Sequence, residues 1–207
     1  TEVMDKIATG MDIRKAEQVL VLHGQKSQAG VIAIRVKNEG GINGIAKDNL
    51  NKALEYGYRM KGVSYNAGSY VLLIFSPLMT KNNKNEETAI KVATDIDNYL
   101  KEHNRKFRND KIFYGIGVNS GEIINRIDGK VLQFTNMGKT ISNAKKAAEA
   151  ANDTLVLTKD IHEKTSNSVK TEKATSGSMD LYNVKRVVDS EQSKKFIQGF
   201  LRRNTNQ

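Results

Sequence analysis

Most of the chain alternates between two hydrophobic patterns, each typical of one kind of secondary structure. Short β-branched or apolar runs bounded by polar residues predict strands, whereas apolar stripes at helical spacing predict amphipathic helices. The predicted strands are 31–36, 63–65, 70–75, 112–118, 122–127, 131–134, 155–157 and 181–188. The predicted helices are 2–8, 45–60, 88–103, 140–151, 160–164 and 191–201, while 13–23 fits either a helix or a strand.

The segments between these elements are polar or rich in glycine, and we expect them to be loops and turns. Polar loops are predicted at 24–30, 81–87 and 165–178. Tight turns at 66–69 and at Asp128-Gly129 each separate two short strand patterns, which is typical of a β-hairpin. The buried stripe of the helix 45–60 is expected to contain Ile45, Leu50, Ala53, Leu54 and Gly57.

The order of these elements indicates the fold class. Strands and helices interleave, but the hairpins exclude a sheet in which every strand is parallel. The pattern therefore predicts an α+β fold, in which helices pack on a mainly antiparallel sheet. One domain is expected at 26–188, preceded by a helical lead-in or linker at 1–25 and followed by a C-terminal helix and tail at 189–207.

Composition excludes several classes of protein. None of the 207 residues is cysteine, which excludes disulfide scaffolds, zinc ribbons, iron–sulfur sites and a thiol nucleophile. The three histidines, His23, His103 and His162, are too scattered for a histidine-rich metal site and belong to no Ser–His–Asp pattern. No apolar run reaches the roughly 18 to 20 residues of a membrane span. The N-terminus lacks the apolar core of a signal peptide, so we expect a cytoplasmic chain that, beginning at Thr1, is a fragment or a processed product.

The chain carries a formal net charge of +10, which favours an anionic partner without identifying it. Nucleic acid, an anionic membrane surface, a phosphorylated ligand and an acidic protein would all satisfy this charge. The basic residues form scattered groups, at 105–111, 145–146 and 202–203, and aromatic residues do not interleave with them as in a base-stacking platform. This pattern disfavours nucleic acid as the partner.

Two motifs in the second half of the chain are specific. Tyr114–Glu122 has the sequence YGIGVNSGE, and Phe134–Ala144 has the sequence FTNMGKTISNA. The first resembles the G-I-G-[IV]-x-[ST]-G-[ED] strand and turn of the class III nucleotide cyclases. The second is similar to the Y-T-x-x-G-x-T-[VI]-N-x-A segment of the same family. Leu155–Thr158 with Ile161 resembles the strand and helical turn that follow in an adenylate/guanylate cyclase homology domain.

The order and spacing of elements extend this resemblance to roughly residues 30–188. Gly62–Phe75 resembles the family's metal-site hairpin, with Gly68-Ser69 where the family has Gly-Asp. The strand 31–36 lies where the family has its first metal-binding strand. The resemblance implies the ferredoxin-like fold of the class III cyclases, with helices packed on a mainly antiparallel sheet.

The resemblance also implies a chemistry whose metal ligands this chain lacks. Cyclases of this class use two aspartates to hold two divalent ions, which activate the ribose hydroxyl and brace the triphosphate. The hairpin aspartate corresponds to Ser69, and the strand aspartate corresponds to Arg35, or to Ile34 or Val36 if the alignment slips by one. None of these is a carboxylate, and Mg²⁺ prefers oxygen ligands, so neither a metal nor another cofactor is expected.

The family's transition-state residues are replaced as well. Its asparagine corresponds to Ser142, with Asn143 one residue further on. Its arginine corresponds to Lys146, which keeps the charge but lacks the fork that grips phosphate. Its base-selecting lysine corresponds to Tyr65 or Asn66. Because the metal ligands, the asparagine and the arginine are all changed, the resemblance implies that no catalytic residue is left.

A weaker set of residues is a candidate anion site. Three glycines precede the helix 45–60, where backbone N–H groups can hold phosphate, but Glu39 opposes an anion and the segment is no Walker motif. Arg35 either binds an anion in the vacated metal site or pairs with a carboxylate. The full candidate set is Gly40, Gly41, Gly44, Arg35, Lys139 and Lys146.

Two pairs of side chains have both a functional and a structural interpretation. Tyr65 and Tyr70 flank the hairpin turn, and they either stack on a base or pack against the sheet. Asp95 and Asp97 lie on adjacent faces of one helix and cannot converge on one ion, so we expect them to be solvated.

These features favour a catalytically inactive cyclase-homology domain that acts as a dimerisation or regulatory module. Class III cyclases are head-to-tail dimers, so the resemblance implies a surface built by the turn 66–69 and the helix from Thr140. That surface would serve a homodimer or a heterodimer with a cyclase-like chain. The alternative is a metal-independent nucleotide or phosphoanion sensor, in which Arg35, Lys139 and Lys146 replace the metal charge. A cyclase with a rearranged metal site and a nucleic-acid-binding module are further alternatives.

Overall fold

The strands and helices of the chain are defined by a computed structural model that describes residues 23–135, 138–174 and 177–188. The strands are β1 (Gln25–Val36), β2 (Val63–Ala67), β3 (Tyr70–Phe75), β4 (Tyr114–Asp128), β5 (Val131–Phe134), β6 (Leu155–Thr158), β7 (Val169–Ala174) and β8 (Leu181–Val187). The helices are α1 (Gly44–Arg59), α2 (Pro77–Thr80), α3 (Asn85–Lys106), α4 (Lys139–Ala150) and α5 (Lys159–Thr165), with a 3-10 turn at Glu39–Gly41. The predicted helices 2–8 and 191–201, and nearly all of 13–23, lie outside the described residues.

The eight strands found in the described residues belong to one sheet in the order β2-β3-β1-β4-β6-β8-β7, and β5 pairs with β4 beside this path. Every pairing is antiparallel except that of β4 with β6. The predicted fold class, helices on a mainly antiparallel sheet, is therefore confirmed. Among the described residues no helix is long and apolar enough to cross a bilayer.

The two faces of the sheet are covered differently. Along β1, the side chains of Ile32 and Ile34 point to a core shared with α1 and α3, whereas those of Val31 and Ala33 point to a second core under α4. The hairpin of β2 and β3 contributes to the second core through Leu72. The strand β1 therefore separates an α1/α3 face from an α4 face.

Two strands are longer than their hydrophobic patterns predict. β1 begins at Gln25 rather than at residue 31, because the polar residues 25–28 pair with 122–125 of β4 through their backbone. β4 continues unbroken from Tyr114 to Asp128, although two strands, 112–118 and 122–127, are predicted there. Gly121 pairs with Ala29 inside this ladder instead of forming a turn.

Other corrections concern polar segments and one apolar residue. The predicted loop 165–178 contains β7, an edge strand that pairs only with β8 and keeps its charged residues outward. α3 starts at Asn85 rather than at residue 88, because the buried Asn85 side chain is bonded to Thr80 and to the Asn82 carbonyl. Ile45 is 48% exposed, and the neighbouring Ala46 takes the buried position of α1.

Candidate functional site

The glycines of the YGIGVNSGE motif lie directly under α4. A Cβ atom added to Gly115 or Gly117 would overlap the carbonyl oxygens of Ala148 or Ala144. These glycines therefore bring the helix backbone onto β4, and their role in this structure is close packing.

The first turn of α4 is fixed by buried polar side chains of the same motif. Asn119 donates from Nδ2 to the Thr140 carbonyl at 2.8 Å and accepts from the Thr158 hydroxyl at 2.5 Å. The Thr140 hydroxyl donates to the Glu122 carbonyl at 2.8 Å. These bonds tie α4 to β4 and to the end of β6, so the orientation of the helix is set by the motif.

The last turn of α4 is fixed by a lysine from the end of β1. Lys37 Nζ donates to the carbonyl oxygens of Glu149 at 3.2 Å and Ala151 at 2.6 Å. A positive charge is favourable there, because the carbonyl groups at a helix C-terminus lack partners within the helix. This contact holds Glu149 close to β1.

Arg35 lies near the end of β1 and joins three elements through its guanidinium group. Nη1 donates to Ser69 Oγ in the hairpin turn at 3.0 Å, and Nε pairs with Glu149 Oε2 of α4 at 2.8 Å. The guanidinium carbon lies 5.3 Å from the centre of the Tyr70 ring. Arg35 and Ser69, the two positions that the resemblance aligns with metal-binding aspartates, are thus in direct contact.

Tyr70 completes this group of side chains together with Lys145 of α4. The Tyr70 hydroxyl donates to Glu149 Oε2 at 3.1 Å, and Lys145 Nζ lies 5.7 Å from the ring centre. Burial raises the pKa of Tyr70, and the neighbouring Glu149 carboxylate raises it further against the opposing effect of Arg35. We call Arg35, Ser69, Tyr70, Lys145 and Glu149 the Arg35 cluster.

The Arg35 cluster, as it stands, does not fit a divalent cation. Its side-chain oxygen atoms belong to the Ser69 hydroxyl, the Tyr70 hydroxyl and the Glu149 carboxylate. Ser69 and Glu149 are bonded to Arg35, and the Tyr70 hydroxyl donates to Glu149. Mg²⁺ needs several oxygen ligands in an octahedral arrangement, and a guanidinium beside them repels the ion. Across the described ranges, no three His, Asp or Glu side chains are grouped so that they could hold a metal.

The structure gives Arg35 the carboxylate partner that one of its two sequence interpretations predicts. Ile34 and Val36 would correspond to the strand aspartate if the alignment with the cyclases were shifted by one residue. Both side chains are buried in the α1/α3 core and face away from Ser69. Among the hydrogen bonds and ion pairs of the described residues, Arg35 contacts none of the other five candidate anion residues.

The candidate residues on α4 are spread along the helix. Lys139 is its first residue, ten positions before Glu149, which corresponds to about 15 Å along the axis. Ser142 and Lys146 are exposed, and Asn143 is half-buried. Lys139 therefore lies at the opposite end of α4 from Arg35.

The three candidate glycines before α1 show no geometric requirement for glycine. Gly40, Gly41 and Gly44 are exposed, and a Cβ atom added to any of them meets nothing within 4 Å. The Asn43 side chain accepts a hydrogen bond from the Ala46 amide at 2.9 Å and so caps α1 itself.

Asp97 is not solvated, so that expectation is wrong. Its side chain is buried, accepts from the Tyr114 hydroxyl at 2.7 Å and pairs with Lys101 at 2.6 Å. Burial and the Asp97 charge raise the pKa of Tyr114 far above its ordinary value. Asp95 is half-buried, and burial raises the pKa of its carboxyl group against the opposing charge of Lys91.

Sequence patterns did not single out Glu149 or Lys145 as members of a site. Glu149 lies on the polar face of α4, where a solvated carboxylate is the ordinary expectation. Only the pairing of β1 with β4, and of α4 with both, brings this carboxylate to Arg35 and Tyr70. Tyr65, in contrast, packs edge-on against Phe134 with ring centres 5.4 Å apart.

With the fold and the cluster defined, the chain can be compared with known structures. It superposes on the adenylyl cyclase CyaB from P. aeruginosa with a TM-score of 0.61 and 16% identity, over 81% of this chain and 97% of that one. The chain has the fold of the class III nucleotide cyclases. The chain is also similar to a dimeric guanylyl cyclase domain of the RhoGC fusion protein from the aquatic fungus Blastocladiella emersonii. The TM-score is 0.61 and the sequence identity is 17%, over 80% of this chain and 98% of that one.

A monomeric form of that fungal guanylyl cyclase domain is equally similar, with a TM-score of 0.60 and 17% identity over 79% of this chain and 98% of that one. Because the sequence identities are only 16 and 17%, the similarity to these cyclases shows that the fold is shared. No protein-family model and no curated protein matches the sequence.

Proposed function

We propose that this chain is a catalytically inactive cyclase-homology domain that acts through dimerisation or regulatory contacts. The observation that carries the proposal is the contact of Arg35 with Ser69 and Glu149. In this proposal, the Arg35 guanidinium group takes the place of the ions and pairs with the Glu149 carboxylate.

Loss of the ions removes the chemistry that the family depends on. Divalent ions lower the pKa of the attacking hydroxyl and neutralise the charge of the triphosphate. The Arg35 guanidinium group can donate hydrogen bonds to an oxygen, but it is not a Lewis acid and has no acceptor atom to take the proton of the ribose hydroxyl. The guanidinium can supply charge, but it cannot activate the nucleophile.

The residues proposed to replace the transition-state groups support the same conclusion. Ser142 and Lys146 are exposed on α4. Serine offers a single hydroxyl where an asparagine offers an amide, and lysine is a point charge without the planar fork of arginine. In this proposal, both the metal ligands and the transition-state residues of the family are therefore replaced by residues less suited to the reaction.

The α4 face of the sheet supports the proposed dimer. The hairpin of β2 and β3 forms part of this face and the helix α4 packs on it, beside apolar side chains that are only half-buried in one copy of the chain. These side chains are Val63, Tyr65, Ala67, Leu78, Met79 and Phe134. A second copy or a related cyclase-like chain would cover them and add hydrophobic stabilisation.

Sedimentation equilibrium over a range of concentrations tests the dimer. Ala67, a half-buried hairpin residue on the α4 face, is changed to arginine, and the exposed Asn167, in the turn between α5 and β7, is changed to arginine as the control. We expect the wild type and Asn167→Arg to dimerise and Ala67→Arg to dimerise at least tenfold more weakly. A wild type that is monomeric at high concentration and captures no cyclase-like chain would contradict the proposal.

The sensor alternative has one observation in its favour. Arg35 and Lys145 both approach the Tyr70 ring, so two positive charges lie near a single carboxylate, Glu149. Calorimetric titration with ATP and GTP separates the alternatives, since a sensor binds nucleotide without added metal. Lys146→Glu should abolish that binding, and an unchanged affinity would reject the sensor.

A further inference from the structure

A polar cavity of about 440 Å³ lies between α3 and the strands β6 and β8. It lies on the α1/α3 face of the sheet, whereas the Arg35 cluster lies on the α4 face. An inference about this cavity therefore does not depend on the proposed loss of cyclase activity.

An irregularity in β8 opens the cavity. β8 pairs with β6 from Leu181 to Asn183, and because β6 begins at Leu155 the rest of β8 extends beyond the paired part of that strand. On its other edge, Arg186 pairs with Lys170 and Val184 pairs with Thr171, which leaves Lys185 as an extra residue in β8. Such a bulge bends a strand and redirects its side chains, and bulges are enriched beside binding sites.

Positive groups dominate the charged lining of the cavity. Lys101 of α3 and Lys185 and Arg186 of β8 face one carboxylate, that of Asp97. Both Asp97 oxygens are already bonded, one to the Tyr114 hydroxyl and the other to Lys101. Three positive side chains and one negative side chain give the lining a surplus of two positive charges. One of the three, Lys185, is also ion-paired with Glu172 of β7, which lies outside the lining.

The remaining lining provides neutral donors and an apolar wall. Asn98, Asn183 and Thr154 bring amide and hydroxyl groups to the cavity. Leu155 and Val184 provide apolar surface. The volume lies within the usual range of small-molecule sites, about 300 to 1,000 Å³.

We propose that this cavity binds a small organic phosphate monoester. A phosphate monoester carries nearly two negative charges at neutral pH, which matches the surplus of the lining. The Arg186 fork can hold two phosphate oxygens, and the lysines act as point charges. Lys185, now paired with Glu172 at 2.5 Å, exchanges that exposed partner for the ligand. The apolar wall contacts the organic group.

Calorimetric titration of the full chain tests the site, with glucose 6-phosphate as the probe and glucose and inorganic phosphate as comparisons. We expect glucose 6-phosphate to bind, glucose not to bind, and inorganic phosphate to bind more weakly because it lacks the organic group. Arg186→Gln should weaken the binding of glucose 6-phosphate at least tenfold. Arg59→Gln, which removes an exposed and ion-paired arginine from α1, should leave it unchanged.

Two outcomes would overturn the proposal. One is the absence of binding by both phosphate probes. The other is equal weakening by Arg186→Gln and Arg59→Gln, which would mean that net charge alone attracts the anion. Because Arg186 is exposed, its variant is expected to fold, and circular dichroism checks this. The oligomeric state is measured separately, so failure here leaves the proposed dimer untouched.

Discussion

The Arg35 guanidinium group contacts both Ser69 and Glu149 on the α4 face of the sheet. The side chains of Arg35 and Glu149 are 31% and 53% exposed. Ion pairs with this exposure contribute only about 0 to 1 kcal/mol to stability, because water screens them. We infer that Arg35 contributes little to stability and acts mainly through its positive charge. Changing Arg35 and Ser69 tests this inference.

The double variant Arg35→Asp, Ser69→Asp should gain a Mn²⁺ site. It places two new carboxylates beside Glu149, so that repulsion lowers its melting temperature without metal and Mn²⁺ restores it. We expect Mn²⁺ to bind at least tenfold more tightly than to the wild type, as measured by calorimetry and thermal unfolding.

Ser69→Asp alone is the matched control for that experiment. Its new carboxylate lies beside Arg35 and should pair with it, so no gain in Mn²⁺ affinity is expected. If the double variant also gains none, the two positions do not form a metal site and the alignment with the cyclases is wrong.

Tyr114 gives a second prediction at the residue scale, this time for pH. Its pKa is raised in the folded chain by burial and by Asp97, so the folded state keeps a proton that the unfolded state loses above about pH 10. Its contribution to stability is complete below the unfolded pKa and is lost as the pH rises beyond it. Tyr114→Phe should therefore reduce the alkaline loss of unfolding free energy by up to about 1.4 kcal/mol per pH unit.

Urea unfolding between pH 9 and pH 11 measures this difference in slope. Tyr58→Phe is the control, because the Tyr58 side chain is exposed and bonds only to Ser64 among the described residues. Identical slopes for the wild type and Tyr114→Phe would show that the buried hydroxyl does not control the alkaline transition.

At the scale of elements, the contact between β4 and α4 organises the α4 face. Gly117 lies under the backbone of α4, and Asn119 and Thr140 fix the start of the helix. Lys37 fixes its end. The position of Glu149, and hence of the Arg35 cluster, depends on this packing.

Gly117→Ala should destabilise the chain by about 3 kcal/mol. The added methyl group would overlap the backbone of α4 at Ala144 and Ala148, and neither can move without shifting the helix. Gly40→Ala is the matched control, because its methyl group would enter open space and should change stability by less than about 0.5 kcal/mol. Chemical denaturation measures both, and equal effects would contradict the packing role.

The sequence predicts elements well where local pattern and burial agree. The stripe of α3 from Ala89 to Leu100 is buried as predicted, and the hairpin turn falls at Gly68, whose positive φ of 63° suits glycine. β7 was missed because an edge strand with charged residues has no apolar alternation, and only its pairing with β8 makes it a strand. The polar start of β1 was missed for the same reason.

The candidate site was predictable only in part. The two aligned metal positions, Arg35 and Ser69, were identified from order and spacing, and they are in contact. Glu149 lies 114 residues from Arg35 along the chain, and nothing in its local pattern distinguishes it from a solvated carboxylate. Long-range pairing of this kind depends on sheet register and helix packing, which composition and periodicity do not encode.

At the scale of the whole molecule, the two faces of the sheet have different proposed roles. The α4 face has the Arg35 cluster and half-buried apolar side chains, which favour a dimer without metal chemistry. The α1/α3 face has the cavity of about 440 Å³ beside β8. Dimerisation and ligand binding can therefore be tested independently in one preparation of the chain.

Formation of cyclic nucleotide tests the central claim most directly. The purified chain is incubated over a range of concentrations with ATP or GTP and Mn²⁺, and cyclic AMP, cyclic GMP and pyrophosphate are measured by mass spectrometry. We expect no product above the protein-free control, because Glu149, the carboxylate beside Arg35, is paired with the guanidinium group instead of being free to hold the ions. Mn²⁺-dependent formation of a cyclic nucleotide by the wild type would contradict the account.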